Sequence, residues 1–153
     1  GIYFYSPLFK NKSSGGGGGT LKNPVEGLTD QEAVLKFDES FVSYLLYSIK
    51  AYALHNPPFS SDTPKIEIAV GNDVYNAEIV SKSVRVKRGS VSDKDIKITT
   101  TKEEAVKMLR NRGYVETSFV NGNSGFEMVS GKLELFSKGY LDLYEELTGK
   151  SIQ

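Results

Sequence analysis

Four runs between Lys65 and Thr99 alternate apolar and polar residues, and this pattern constrains the fold more than any other feature of the chain. Ile66, Ile68 and Val70 alternate with Lys65, Glu67 and Ala69. After the turn signal Gly71-Asn72-Asp73, Tyr75, Ala77 and Ile79 alternate with Asn76 and Glu78. Val84 and Val86 alternate with Arg85 and Lys87 up to a turn at Gly89, and Ile96 and Ile98 alternate with Lys97 and Thr99. A period of two sends successive side chains to opposite faces of a strand. The first two runs, joined by a short Gly/Asn/Asp turn, are expected to form a hairpin. Leu133 and Leu135 alternate with Lys132 and Glu134, which predicts a further strand. Glu67, Glu78, Arg85, Lys87, Lys97 and Glu134 then share a wet face on which they can pair across strands. The expected sheet is antiparallel or mixed, with helices on one side only.

Helical patterns flank these strands. Thr29 followed by Glu32 is a capping-box pattern. Val34, Phe37, Phe41, Leu45, Ile49 and Ala53 recur at spacings of three and four, predicting one long helix that stops before Pro57-Pro58. Tyr44, Tyr47 and Tyr52 widen its apolar stripe. A second helix is expected over Thr101–Arg112, acidic in its first turn and basic in its last, with Gly113 beyond it. A third spans about Lys138–Leu147 and ends at Gly149. The predicted fold is α+β: a roughly five-stranded, mainly antiparallel sheet with one face covered by three or more helices.

Composition narrows the chemistry. With 153 residues the chain is of a size for one domain and one core. Nineteen basic residues balance nineteen acidic ones, which argues against general nucleic-acid binding and against a polybasic membrane patch. There is no cysteine, so disulfides, thiolate catalysis and cysteine-ligated metals are excluded. His55 is the single histidine, so no multi-histidine metal site can form. It precedes two prolines, where its simplest role is to cap the helix end. Asp38 and Glu39 are adjacent carboxylates on the expected helix and read as solvated charges. Arg85-Val-Lys-Arg88 fits a wet sheet face, with a patch for an acidic partner or nucleic acid as the other reading. No glycine cluster matches a phosphate-binding fingerprint. No catalytic residue, cofactor or metal is expected.

Residues 1–10 form a hydrophobic arm: Ile2, Tyr3, Phe4, Tyr5, Leu8 and Phe9 are followed by Lys10 and Lys12. Aromatic residues ahead of lysines resemble the end of a membrane span leaving the headgroup region. The arm therefore reads as the stub of an anchor whose preceding part was removed, since the chain opens on Gly1. An ordinary packed arm and an N-terminal myristoylation match are the alternatives. Residues 11–27 form a tether, glycine- and serine-rich through Thr20, with a sequon at Asn11-Lys-Ser13, and 28–153 form the folded domain. No stretch reaches the roughly 18–20 apolar residues that cross a bilayer.

The order helix, hairpin, two strands, helix, irregular segment, strand and final helix resembles the sterol carrier protein 2 fold. DIKITTTKEEAVKML (Asp95–Leu109) is similar to that family's strand leading through a polar cap into a short helix. SGKLELFSKGYLDLYEEL (Ser130–Leu147) is similar to its strand, turn and final helix. The resemblance covers about residues 30–149. Tyr114–Val129, with its Asn121-Gly-Asn-Ser-Gly125 loop, is longer and more polar than the connection that helps form the family's lipid tunnel. The resemblance implies a non-covalent cavity for fatty acyl chains, sterols or other lipids. Phe119, Phe126, Met128, Leu135, Phe136, Leu141 and Tyr144 are the candidate lining, or else part of a filled core. Two functions follow as expectations. One is binding of a lipid or other hydrophobic ligand by a domain tethered near a membrane. The other is an assembly module whose aromatic arm docks on a partner subunit.

Overall fold

The computed structural model describes residues 3–5 and 21–151. Six strands form one sheet: β1 (Tyr3–Tyr5), β2 (Lys65–Val70), β3 (Asp73–Val80), β4 (Ser83–Arg88), β5 (Ile96–Thr100) and β6 (Gly125–Met128). Their order is β1-β4-β3-β2-β5-β6. The β2–β5 pair is parallel, and the other neighbours are antiparallel. The expected β2–β3 hairpin is present, with Ile66 opposite Ala77 and Ile68 opposite Tyr75. The α+β class and the mixed, mainly antiparallel sheet agree with the alternation.

Register shows why one face is dry. Ile66, Ile68 and Val70 align with Tyr75 and Ala77 on one side and with Ile96 and Ile98 on the other, and all are buried. Val84 and Val86 extend the same face through their pairing with Ile79 and Ala77. The opposite face carries the charges, but Glu67 departs from the expected wet position. The 89–95 loop folds over it: its carboxylate accepts from Val91 N at 3.1 Å and pairs with Lys94 Nζ at 3.1 Å. Burial raises its pKa, but these partners outweigh that and hold it below the usual glutamate value.

The helices depart further from expectation. The predicted long helix is two helices and a turn: α1 (Asp30–Lys36), α2 (Glu39–Ser48) and a short 3-10 helix (Ala51–Ala53). Thr29 and Glu32 form the expected capping box. The break comes because Asp38 caps a second helix, accepting from Ser40 N at 2.9 Å. Extended backbone at Phe37 then turns that ring onto Phe41, 4.9 Å away, and edge-on to Tyr75. Neither carboxylate of the Asp38-Glu39 pair is a free solvated charge, since Glu39 is buried and paired with Arg88 at 3.0 Å.

The second expected helix is α3 (Lys102–Arg110), capped by Thr101. Tyr114–Val129, expected to be irregular, contains α4 (Tyr114–Val120) and β6. The strand predicted at Leu133–Leu135 is instead a helix, α5 (Lys132–Lys138), followed by α6 (Tyr140–Thr148). In a helix, Leu133 and Leu135 point in different directions: Leu135 is buried and Leu133 is 83% exposed. Glu134 consequently belongs to no sheet face. Gly139, at φ 94°, makes the left-handed junction between α5 and α6. Packing begins ahead of residue 28, with Val25 buried and Asn23 Nδ2 donating to Leu109 O at 2.7 Å. Among the described residues no helix is long and apolar enough to cross a membrane.

Candidate functional site

Six of the seven candidate lining residues meet in one place. Phe126 and Met128 lie on β6, Leu135 and Phe136 on α5, and Leu141 and Tyr144 on α6, with Tyr140 completing an apolar seam. The register explains the gathering, because Phe126 and Met128 sit opposite Ile98 and Ile96, on the face that the helices cover. Phe126 meets Tyr144 edge-on, with ring centroids 5.5 Å apart. Leu135 is buried, whereas Met128 is 53% and Phe136 38% exposed, so the seam has a dry floor and a wet rim. Its free volume is about 10 Å3, and the surface that faces it is apolar.

Phe119 lies elsewhere. It borders a gap in the main core beside Val42, Leu46, Ile68, Ile98 and Leu147, also of about 10 Å3. That is about the volume of one water-sized sphere, so the core under the sheet is filled. Hydroxyl chemistry closes this end of the domain. Ser124 Oγ lies 2.8 Å from Thr100 Oγ1 and 2.7 Å from Ser118 Oγ, and Ser118 donates to Glu104 at 2.8 Å. Tyr114 OH donates to the same carboxylate at 2.8 Å. Burial raises the Glu104 pKa, but the hydrogen bonds from Ser118 and Tyr114 prevail and keep it below the ordinary glutamate value. The polar 114–129 segment therefore stitches α3, α4 and β5 together.

A second polar cluster lies at the C-terminal end of α5. Asp95 is buried and accepts from Lys138 Nζ at 2.9 Å, Tyr140 OH at 2.9 Å, Ser130 Oγ at 3.0 Å and Lys65 N at 2.8 Å. Lys138 also reaches Asp62 at 3.0 Å and Glu134 at 3.3 Å. Burial pulls the Lys138 pKa down, but its hydrogen bonds to Asp95 and Asp62 outweigh this and raise it above the usual lysine value. Burial, then the Asp95 charge, pushes the Tyr140 phenol well above its ordinary range. Each of these groups is held by the others, which fixes Asp95 as a joint between β2, β5, α5 and α6. Sequence spacing singles out neither Asp95 nor Lys138, because their bond joins residues 43 positions apart.

Another concavity, about 590 Å3, is a polar cleft between residues 49–55, which follow α2, and α6, and it holds His55, Lys50, Arg112, Glu116 and Glu146. Its cations are already engaged: Lys50 pairs with Glu146 at 3.3 Å, and Arg112 bonds Glu146 and, at 2.8 Å, Ser48 O. His55 does not cap the helix end as expected. Its Nδ1 lies 2.9 Å from Asn56 O, while its backbone N–H donates to Lys138 O at 3.1 Å. Among the described residues no group of three or more His, Asp or Glu side chains is placed to hold a metal.

No family model and no curated protein matches the chain. Solved structures do. A UbiJ-SCP2 ubiquinone synthesis protein is similar at 14% identity and a TM-score of 0.40, over 65% of this chain and 81% of that one. Sterol carrier protein 2 like 2 from Aedes aegypti is similar at 18% identity and 0.36, over 64% and 92%. Sterol carrier protein 2 from Yarrowia lipolytica, in its apo form, is similar at 11% and 0.36, over 79% and 88%. All three are sterol carrier protein 2 structures. The likeness is one of fold.

Of the residues expected to contact a membrane or partner subunit, Tyr3, Phe4 and Tyr5 form β1 on this chain's own sheet. Ile2, Leu8 and Phe9 lie outside the described residues.

Proposed function

We propose that the domain binds a hydrophobic ligand, such as a fatty acyl chain, without catalysis, at the seam between β6 and the α5–α6 pair. The observation that carries this is the half-exposed apolar rim at Met128 and Phe136 over a dry floor. An apolar rim is costly to leave in water, and an acyl chain laid along it removes that surface at about 25 cal/mol per Å2. Ligand pockets typically measure about 300–1,000 Å3, so the seam must part to take a whole chain. The fold supplies a place for this to happen. Asp95 holds α5 at both ends, through Ser130 just before its start and Lys138 at its end, so the helix itself stays in place. The seam opens instead at its rim, where Met128 and Phe136 are partly exposed and their side chains can turn outward.

The test is a titration of the full chain with a dansyl-labelled fatty acid, watching both probe emission and backbone amide shifts. The proposal expects saturable binding with shifts centred on 126–128 and 132–144. It also expects a Met128→Glu/Phe136→Glu variant, folded by circular dichroism, to lose at least about tenfold in affinity, one tenfold step being 1.4 kcal/mol. Equal binding by that variant, or shifts centred on the 590 Å3 cleft, overturns it.

A further inference from the structure

The cleft of about 590 Å3 takes no part in the proposed function, yet it has the size of a small-molecule site. Its floor is apolar, with Ile49, Leu54 and Leu143 buried beneath it. Its walls are charged, and the charges do not balance. Four carboxylates, Glu116, Asp142, Glu145 and Glu146, share the cleft with two permanent cations, Lys50 and Arg112. Both cations go to Glu146: Lys50 lies 3.3 Å from it and Arg112 bonds it through Nη2, while Arg112 Nε donates to Ser48 O. The other three carboxylates leave the cleft net negative.

Their placement follows from the helix. Asp142, Glu145, Glu146 and Gly149 recur at spacings of three and four, so one face of α6 forms one wall. Asp142 lies near the start of that helix. Glu116 comes from α4 and lies against Gly149, just past the end of α6, where even a β-carbon would collide with its carboxylate. At about 1.5 Å per residue, Asp142 and Gly149 stand roughly 10 Å apart along the helix. Acidic groups therefore mark both ends of the cleft, with Leu143 between them. The Asp142 end has a further acceptor. A carbonyl oxygen only accepts, so His55 Nδ1 carries the proton in its 2.9 Å contact with Asn56 O, and Nε2 of the neutral ring presents a lone pair beside Gly139. The Glu116 end adds the negative pole of α6.

We propose that this cleft binds a linear aliphatic diamine, one terminal ammonium at Asp142 and His55 Nε2 and the other at Glu116. An ammonium offers donors and no acceptor, which suits a cleft whose own cations are committed to Glu146. The methylene chain lies along Leu54 and Leu143, as the stem of a lysine lies along apolar surface. A monoamine satisfies one end only, and an anion is repelled at both. The distance between the two ends, together with charge, selects the ligand.

The test titrates the full chain with diaminoheptane, heptylamine and magnesium chloride, each followed by backbone amide shifts. Heptylamine matches the diamine in apolar length, and magnesium matches it in charge. The proposal expects saturable diamine binding, with shifts centred on 49–55, 112–116 and 139–149. It expects the diamine to bind about fivefold more tightly than heptylamine, the worth of one more partly exposed ion pair. Glu116→Gln and Asp142→Asn should each bring the diamine down to the affinity of heptylamine. Equal affinity for diamine and heptylamine, or for diamine and magnesium, overturns the two-ended site. So do shifts centred on 126–136, or two variants that both bind the diamine as the parent does. Both substitutions alter exposed carboxylates, and the comparison of the three probes needs no variant, so the result stands even if a variant fails to fold.

Discussion

Two regions flank α5, and they solve the same packing problem by opposite means. At its C-terminal end Asp95, Lys138 and Tyr140 are buried polar groups, each held by the others. Along its side the seam with β6 is apolar and its rim is wet. A satisfied buried ion pair is geometrically exacting, because moving either charge leaves the other without a partner in a poor dielectric. Apolar contacts have no such direction, so they can part and reform at a cost set by area. The polar joint is therefore the anchor, and the apolar seam is the part that can open.

Breaking the joint should have the largest effect. Lys138→Met keeps the length of the side chain but leaves Asp95 buried without its cation. The expected loss is about 3–5 kcal/mol, roughly 10 °C or more in Tm for a chain of this size, by thermal melts at pH 7. An Asp95→Asn/Lys138→Met double variant should recover part of that loss, because the uncompensated charge is gone. A single variant that melts within two or three degrees of the parent (roughly 1 kcal/mol) would mean that Asp95 anchors nothing.

Gly139 is where the two regions meet. It sits at φ 94°, and a Cβ there would come 3.4 Å from His55 Nε2. Gly139→Ala should cost about 1–2 kcal/mol from the left-handed backbone, seen as a lower urea midpoint. An unchanged urea midpoint would mean that alanine meets no strain at this junction.

The seam should answer in the opposite sense. Met128→Gln changes a half-exposed side chain, so its stability should stay within about 0.5 kcal/mol, while probe affinity falls. A large drop in melting temperature would show that Met128 is packing the core, and the contrast between anchor and seam would fail.

The sequence revealed these regions unequally. Strands β2 to β5 were legible because period-two alternation survives when one face is buried, and the register kept Ile66, Ile68, Tyr75, Val86 and Ile98 together. The run Lys132–Leu135 misled because two leucines two apart fit either a strand or a short helix. Periodicity over so short a run does not decide between them. The break at Phe37 was hidden because the apolar spacing continues through it, and Asp38 capping is a local choice that periodicity does not record. Six of the candidate lining residues, chosen as bulky apolar side chains where the family resemblance implies a cavity, gather at the seam. Phe119, chosen in the same way, borders the main core, because bulk does not tell a seam from a core.

The smallest expected effect concerns the other polar closure, where Glu104 holds Ser118 and Tyr114. Its folded pKa lies below the ordinary glutamate value. A carboxylate whose pKa is depressed by folding adds stability above its unfolded value, and that stability is lost as pH falls through the folded value. Below about pH 4.5, the unfolded chain takes up the proton first, so acid favours unfolding. Glu104→Gln removes this linkage while keeping one acceptor oxygen for the two hydroxyl donors. At pH 7 the variant should lose about 1 kcal/mol by urea unfolding, and near pH 3 the two proteins should converge. Glu67 and Asp62 also titrate below their usual values, so the acid slope should shrink without disappearing. If the gap between the two proteins persists unchanged at low pH, the contribution of Glu104 is steric rather than electrostatic. The hydroxyl chain through Ser124 would then be held by packing, as the seam is, and not by charge, as the Asp95 joint is.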